Sequence, residues 1–374
     1  MTTIKVYDLS IVGIVGLPAN YGGFETLAEQ LSQRLSAYRS ILVFCSGKRY
    51  PCKPSRPNRA SAADLNYVEW DANGWQSIPY DFVSLWRAAG RTQTILVLGV
   101  SGCLLLPVIR LLWPGTRIVT NVDGLEWKRQ KWGLLARAVL RVSEWSAARF
   151  SHEVVADNQS ILEHVANSYG RQSHLIAYGG DQANPFFENA PAAHGSFLRD
   201  TRFAAGNYFF ALCRIEPENH IVDILSAFVQ TPQANLVLVG NWNVSEYARK
   251  LRSDYCNLAN IELKDSIYDQ ARLHMLRSQA KSYLHGHSAG GTNPSLVEAM
   301  HAGMPVLAFD VDYNRHTTQN QAIYWSDAAT LAKRIRQTAD ESLVEVAHRM
   351  TNIAKQHYTW SVITNQYESV LFPT

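Results

Sequence analysis

The chain has 374 residues, a length suited to two ordinary domains, and its 47% apolar and 18% charged residues exclude a disordered polypeptide. A formal net charge of +3 is too small to point to nucleic acid, and the positive excess lies in residues 1–190, with 19 Lys and Arg against 15 Asp and Glu. Five cysteines, Cys45, Cys52, Cys103, Cys213 and Cys256, show no C-x-x-C spacing, which excludes a disulfide framework or a zinc site and favours a reducing cytosol. The first residues lack the basic-then-apolar pattern of a signal segment. The most apolar stretch, Ile95 to Ile109, is too short to span a bilayer and is broken by Gly99, Gly102 and Pro107. A cytoplasmic protein is expected.

Strand-like apolar runs alternate with helical patterns. Leu9–Val15 reads as a strand, followed by a loop and a helix near Phe24–Ala37 with Leu27, Leu31 and Leu35 on one face. Strands follow at Ile41–Phe44, Ile95–Leu98, Arg117–Thr120 and Glu153–Ala156. A polar stretch near Gln182–Gly195 reads as a linker. A second series places strands at Tyr208–Leu212, Asn235–Val239, Ser282–His285 and Val306–Phe309. This alternation predicts parallel sheets covered by helices, hence an α/β chain with two Rossmann-like domains, residues 1–190 and 191–356. In such sheets ligands bind at the C-terminal ends of strands, near helix N-termini.

Two glycine-rich loops stand at such places. After Ser282–His285 the loop Gly286 to Asn293 contains three glycines. Asn293 is placed to cap a helix that begins at Pro294 and ends near Gly303. Backbone N–H groups there suit a phosphate or a sugar hydroxyl. Glu298 lies too deep in that helix to cap it and is either a ribose-binding carboxylate or a plain surface residue. The second loop, Gly16-Leu17-Pro18-Ala19-Asn20-Tyr21-Gly22-Gly23, ends in two glycines before a helix, which lets the backbone approach a pyrophosphate. Neither loop is a G-x-G-x-x-G or a P-loop, which weighs against a dinucleotide dehydrogenase. Asp310-Val311-Asp312 has the form of a D-x-D metal motif but reads better as polar loop. His285 and His287 have no third ligand spaced for zinc.

Taken together, GLPANYGGFETLAEQL from Gly16, NVDGLEWKRQKW from Asn121, ADNQSI from Ala156, AYGGD from Ala177, CRIEPEN from Cys213 and GHSAGGTNPSLVEAMHAGMPVLAFDVDYNRHTT from Gly286 resemble the retaining GT-B glycosyltransferases of family four, within them the bacterial rhamnosyltransferase-like branch. The resemblance implies two Rossmann-like domains facing each other across a cleft, with a last helix, residues 357–374, crossing back onto the first. It implies that Gly22 and Gly23 line the donor pyrophosphate and that Arg214 stabilises the leaving diphosphate. Glu298 would hold the ribose, and Gly291, Thr292, Asn293, Pro294, Ser295 and Leu296 would surround the phosphates. Asp123 and Glu126 would face the transferred sugar or the acceptor. Two positions depart from the wider pattern: Asn219 stands where a Lys is frequent, and Gly290 where a Glu is frequent.

The implied reaction is transfer of L-rhamnose from a dTDP donor to a lipid-linked glycan of a bacterial surface polysaccharide, with no catalytic metal. A non-catalytic nucleotide-sugar-binding subunit and a GT-B-fold epimerase are the alternatives. Two basic segments, Lys48–Arg59 and Trp127–Arg149, suit an anionic membrane surface.

Overall fold

In the computed structural model the described residues are 6–20, 22–53, 62–124, 127, 133–183, 200–337 and 339–373. They fall into two compact units, Met1–Tyr178 with Ser361–Thr374, and Gly179–Trp360. The proposed linker falls largely outside the described residues, as does Glu126.

The first unit runs β1 (Tyr7–Val12), α1 (Gly23–Leu35), β2 (Ile41–Ser46), β3 (Asp64–Val68), α2 (Ser77–Ala89), β4 (Thr92–Leu98), α3 (Leu106–Leu112), β5 (Arg117–Asn121), α4 (Leu134–Phe150), β6 (Glu153–Ala156), α5 (Gln159–Tyr169) and β7 (His174–Leu175). Its seven strands lie in the order β3-β2-β1-β4-β5-β6-β7, and every pairing is parallel. β2 is buried along its whole length because both faces of the sheet are covered. β1 stops at Val12, short of the expected Val15. The reason is Gly13, which turns left-handed (φ +91°) and passes so close to β4 that a Cβ would stand 2.1 Å from the Leu98 carbonyl oxygen. Ile14 and Val15 are nevertheless buried, so the apolar run outlasts the strand.

The second unit runs β8 (Phe209–Leu212), α6 (Ile221–Val229), β9 (Leu236–Val239), α7 (Glu246–Tyr255), β10 (Ile261–Lys264), α8 (Gln270–Ser278), β11 (Ser282–His285), α9 (Pro294–His301), β12 (Val306–Phe309), α10 (Asp312–Thr317), β13 (Ile323–Trp325), α11 (Ala328–Gln337) and α12 (Asp340–His357). Its six parallel strands take the order β10-β9-β8-β11-β12-β13. Phe209, Phe228, Leu236, Trp242 and Trp325 centre the core on one side of this sheet.

The final helix, α13 (Trp360–Leu371), returns to the first unit. Tyr367 is fully buried there and its hydroxyl accepts from Asn121 Nδ2 at 2.8 Å, while Arg117 and Thr94 donate to the Val370 and Leu371 carbonyls. These bonds satisfy carbonyls that the end of a helix leaves open.

Candidate functional site

Each sheet reverses direction once in its strand order, between β1 and β4 in the first unit and between β8 and β11 in the second. At such a switch point the connections leave in opposite directions, and a crevice opens beyond the strand ends. Both glycine-rich loops fall there: Gly13–Gly22 follows β1, and Gly286–Asn293 follows β11.

In the second unit two loops interlock over the crevice. Gly286 lies against the loop that follows β8, where a Cβ would stand 2.1 Å from the Asn219 carbonyl oxygen, so only glycine fits. Ser288 N and Oγ donate to the Glu218 carbonyl at 2.9 and 3.0 Å. His220, in a left-handed conformation (φ +49°), stacks on Phe309 at 3.7 Å and meets Ser288 Oγ at 3.1 Å. Arg214 is exposed on the β8 loop, and no carboxylate pairs with it among the described residues. An anion reaching the crevice therefore finds an uncommitted guanidinium.

Asn293 caps α9 by accepting from Ser295 N at 3.0 Å. That bond narrows the expected set of phosphate contacts. The Ser295 amide is engaged by Asn293 Oδ1, the Leu296 amide donates to the Asn293 carbonyl at 3.1 Å, and Pro294 has no N–H. Ser295, Leu296 and Pro294 thus shape the turn. The Gly291 and Asn293 amides carry no bond among the described residues and are the ones able to meet a phosphate; Thr292 is buried, with its hydroxyl 3.4 Å from Thr317 Oγ1.

Glu298 is held from two sides. Oε2 pairs with Arg277, which is 1% exposed, and Oε1 accepts from Gln182 Nε2 at 2.9 Å. A carboxylate has about four acceptor positions, so two remain for a ligand. Gln182 is fixed in turn by Trp360 Nε1 at 2.5 Å, and Asp181 accepts from Trp360 N at 2.7 Å. The two glycines of AYGGD have a packing reason. A Cβ on Gly179 would press on the Trp360 ring, and one on Gly180 would stand 2.7 Å from the Val297 backbone. The sequence does not connect Gln182, Trp360 or Arg277 to Glu298, because that link is made by the fold and not by spacing.

Burial keeps His285 uncharged, its pKa lowered to about 3. Asp310 is clamped at two points by Arg315, at 2.5 and 2.8 Å, and this partner holds its carboxyl below the usual range. Among the described residues no group of three His, Cys, Asp or Glu is placed to hold a metal ion.

In the first unit, Gly22 is the N-cap of α1 with no side chain capping it, so the first amides of this helix lack a side-chain acceptor, and Gly23 opens its first turn. Glu25 reaches back to accept from Val15 N at 2.8 Å, and Tyr80 donates to the Ile14 carbonyl at 2.8 Å; together they shape the loop. Asp123 follows β5 directly. It is left-handed (φ +59°), and its N–H donates to Asn121 Oδ1 at 3.0 Å, with Asn121 itself held by Tyr367. Asp tolerates the left-handed region, and the two-residue bond to the Asn121 side chain holds the turn.

Residues 200–357 match the family model described as glycosyl transferases group 1, and residues 6–181 match one described as a domain of unknown function, DUF1972. No curated protein matches the sequence. Several solved structures share the fold over nearly the whole chain. A sucrose-phosphate synthase from Thermosynechococcus elongatus is 16% identical with a TM-score of 0.77, covering 97% of this chain and 98% of its own. Anabaena Alr3699/HepE in complex with UDP-glucose is 16% identical with a TM-score of 0.73, covering 98% and 99%. The N-terminal domain of a Candida albicans trehalose-6-phosphate phosphatase is 12% identical with a TM-score of 0.72, covering 99% and 96%. The fold is that of the GT-B glycosyltransferases. More particularly, the match to the glycosyl transferases group 1 model lies within the second unit.

Proposed function

We propose that the protein is a retaining glycosyltransferase that moves a hexose from a nucleotide sugar to a hydroxyl of a lipid-linked glycan, at the cytoplasmic face of a membrane. The observation that carries this reading is the β8–β11 crevice, with Arg214, the Gly291 and Asn293 amides and Glu298 around one switch point. Charge develops on the diphosphate as the glycosidic bond breaks, and pre-aimed donors stabilise it without reorganising. A front-side reaction, in which the departing phosphate takes the acceptor proton, needs no separate base and retains configuration. It needs no resident metal, and full turnover in a chelator tests that. Release of nucleoside diphosphate that depends on added acceptor supports transfer. Release without acceptor, conversion of the free nucleotide sugar, or binding alone would each overturn it.

For the donor, the rhamnosyltransferase-like motifs favour dTDP-rhamnose. A UDP-hexose is the second reading, because one carboxylate at Glu298 can bridge both hydroxyls of a ribose, whereas the deoxyribose of dTDP presents a single one. Alr3699/HepE was solved with UDP-glucose. Thermal stabilisation by UDP and by dTDP, compared at equal concentration, separates the two.

For the acceptor side, α4 supports membrane contact by an inverted pattern. Its buried residues are Ser143, Glu144, Ser146, Ala147 and Ala148, whereas Leu134, Leu135, Val142 and Trp145 are exposed. The exposed charges of this helix are Arg141 and Arg149, and neither has a carboxylate partner among the described residues. The adjoining α3 exposes Leu111, Leu112 and Arg110. Apolar side chains among arginines that no carboxylate neutralises among the described residues suit an anionic bilayer surface. The other basic segment fits less well: Arg49 pairs with Asp71 and Lys53 with Glu69, and residues 54–59 lie outside the described ones. Among the described residues no helix is long and apolar enough to cross a membrane. Sedimentation with anionic liposomes at low salt tests the contact; Trp145→Glu with Leu135→Glu should abolish it, and unchanged binding would refute it.

A further inference from the structure

We propose that Trp70 and Trp75 form an aromatic platform on the first unit that binds a sugar ring of the acceptor glycan. The inference rests on the reading above that the acceptor is a glycan.

The tryptophans stand at the C-terminal edge of the first sheet. β3, β2 and β1 are adjacent and parallel, so the loops that follow them share one edge. The end of β2 and its loop bind both neighbours. Tyr50 donates to the Pro18 carbonyl at 2.7 Å, and a Cβ on Gly16 would stand 2.6 Å from its ring. On the other side Ser46 Oγ donates to the Trp70 carbonyl at 2.6 Å, and Lys48 Nζ donates to Gln76 Oε1 at 2.9 Å.

Trp70 and Trp75 are 38% and 73% exposed, and their rings meet edge to face with centroids 6.4 Å apart. Large indoles are usually well buried. Here the segment between them is held so that they stay in solvent. Arg49 clamps Asp71 at 3.1 and 2.9 Å, Asp71 Oδ1 accepts from Asn73 N at 2.9 Å, and Gln76 Oε1 accepts from Asp71 N at 3.2 Å. Ser77 Oγ donates to the carbonyl of Gly74, which is left-handed (φ +67°) just before Trp75.

Charge and hydrogen bonding select what lies on the pair. Arg49 is neutralised by Asp71 and Lys53 by Glu69, which leaves Lys48, 5.8 Å from the Trp70 ring centroid, as the remaining cation of this loop among the described residues. An anionic bilayer is attracted by clusters of uncompensated basic residues, and this surface has one. The other open groups are neutral. Both indole N–H groups, the Asn73 side-chain amide and Gln76 Nε2 carry no hydrogen bond among the described residues. A pyranose matches that combination: its C–H face lies on the electron-rich face of an indole, and its hydroxyls reach neutral polar groups at the rim. A sugar chain, unlike a single sugar, can rest there and still reach the loop after β1, two strands away.

The test uses the full chain and an array of oligosaccharides from bacterial surface polysaccharides. The unmodified protein should bind at least one of them. Trp75→Ala should weaken that binding about tenfold, and Trp75→Phe, which keeps an aromatic face, by about threefold or less. Both variants should melt at the unmodified temperature, since removing an exposed ring leaves no cavity, and both should bind UDP or dTDP as before. The proposal is overturned if the unmodified protein binds no glycan, if Trp75→Ala binds equally well, or if the Phe variant is as weak as the Ala variant. Loss of liposome sedimentation in Trp75→Ala with glycan binding intact also overturns it and makes the pair a membrane contact. Nucleotide binding tells the two failures apart: lost glycan binding beside normal binding of UDP or dTDP removes the platform alone, whereas a protein that binds no nucleotide and no nucleotide sugar fails the parent reading.

Discussion

Replacing Glu298 should unfold the second unit more readily before it reveals anything about ribose. Arg277 is 1% exposed, and among the described residues its Nε and Nη1 meet no acceptor; Nη2 rests on Glu298. Glu298→Gln removes that countercharge and leaves a buried guanidinium uncompensated. Breaking one side of a buried pair costs about 3–5 kcal/mol. The Glu298 side chain is 17% exposed, so water reaches the pair and the lower end, about 3 kcal/mol, is expected. At roughly 2–4 °C per kcal/mol for a unit of this size, the unfolding midpoint falls by about 6–12 °C. The companion variant Arg277→Met with Glu298→Gln removes both charges and should regain at least half of the drop, because an apolar side chain of similar length replaces the stranded cation. Nucleotide binding should stay lost in both variants. Thermal unfolding with and without UDP or dTDP reads both quantities. A Glu298→Gln protein that melts at the unmodified temperature refutes the reasoning, as does a double variant no more stable than the single one.

Arg214→Ala should lower turnover about 10²–10³-fold with the melting temperature unchanged, the usual loss for one donor aimed at developing charge; steady-state kinetics and a melt check it together. Gly286→Ala should destabilise the second unit by about 1–3 kcal/mol, since its Cβ would have to displace the Asn219 carbonyl, and denaturant unfolding measures the change. Asp81 is buried against α3's approach, with Ser101 donating to it at 2.7 Å, and burial pushes its pKa to about 7 from 3.8. Its folded-state pKa is raised, so the unfolded chain ionises first, and stability on the order of 4 kcal/mol is lost as pH rises from about 4 to about 7, then levels. Asp81→Asn should remove that slope, and denaturant midpoints at pH 4.5 and 7.5 compare the two.

The strands legible in the sequence were the interior ones, and there is a physical reason. β1, β2, β4, β5 and β6, and likewise β8, β9, β11 and β12, have neighbours on both sides and helices on both faces, so they read as short apolar runs. The four that escaped notice, β3, β7, β10 and β13, are the four sheet edges. Asp64–Val68 and Ile261–Lys264 are half exposed, and His174–Leu175 is exposed and only two residues long, so no apolar run marks them. The glycine-rich loops were legible because glycine marks close backbone approach whatever surrounds it. What they approach was not legible, as with Gly286 against Asn219 or Gly180 against Val297.

The same distinction runs through the site. Arg214, Glu298 and the Gly286–Asn293 loop follow from local order along the chain: strand, loop, cap, helix. Their partners do not. Gln182 lies 116 residues from Glu298, and His287 lies 68 from Asn219. The topology places β11 beside β8 and thereby brings the Asn219 loop over the Gly286 loop, although β9 and β10 intervene in sequence. The sequence shows two departures from a family pattern, Asn219 and Gly290, as separate losses of charge. The fold brings them to one ring: Asn219 Oδ1 lies 3.0 Å from His287 Nδ1, and a Cβ at Gly290 would stand 3.2 Å from His287 Nε2.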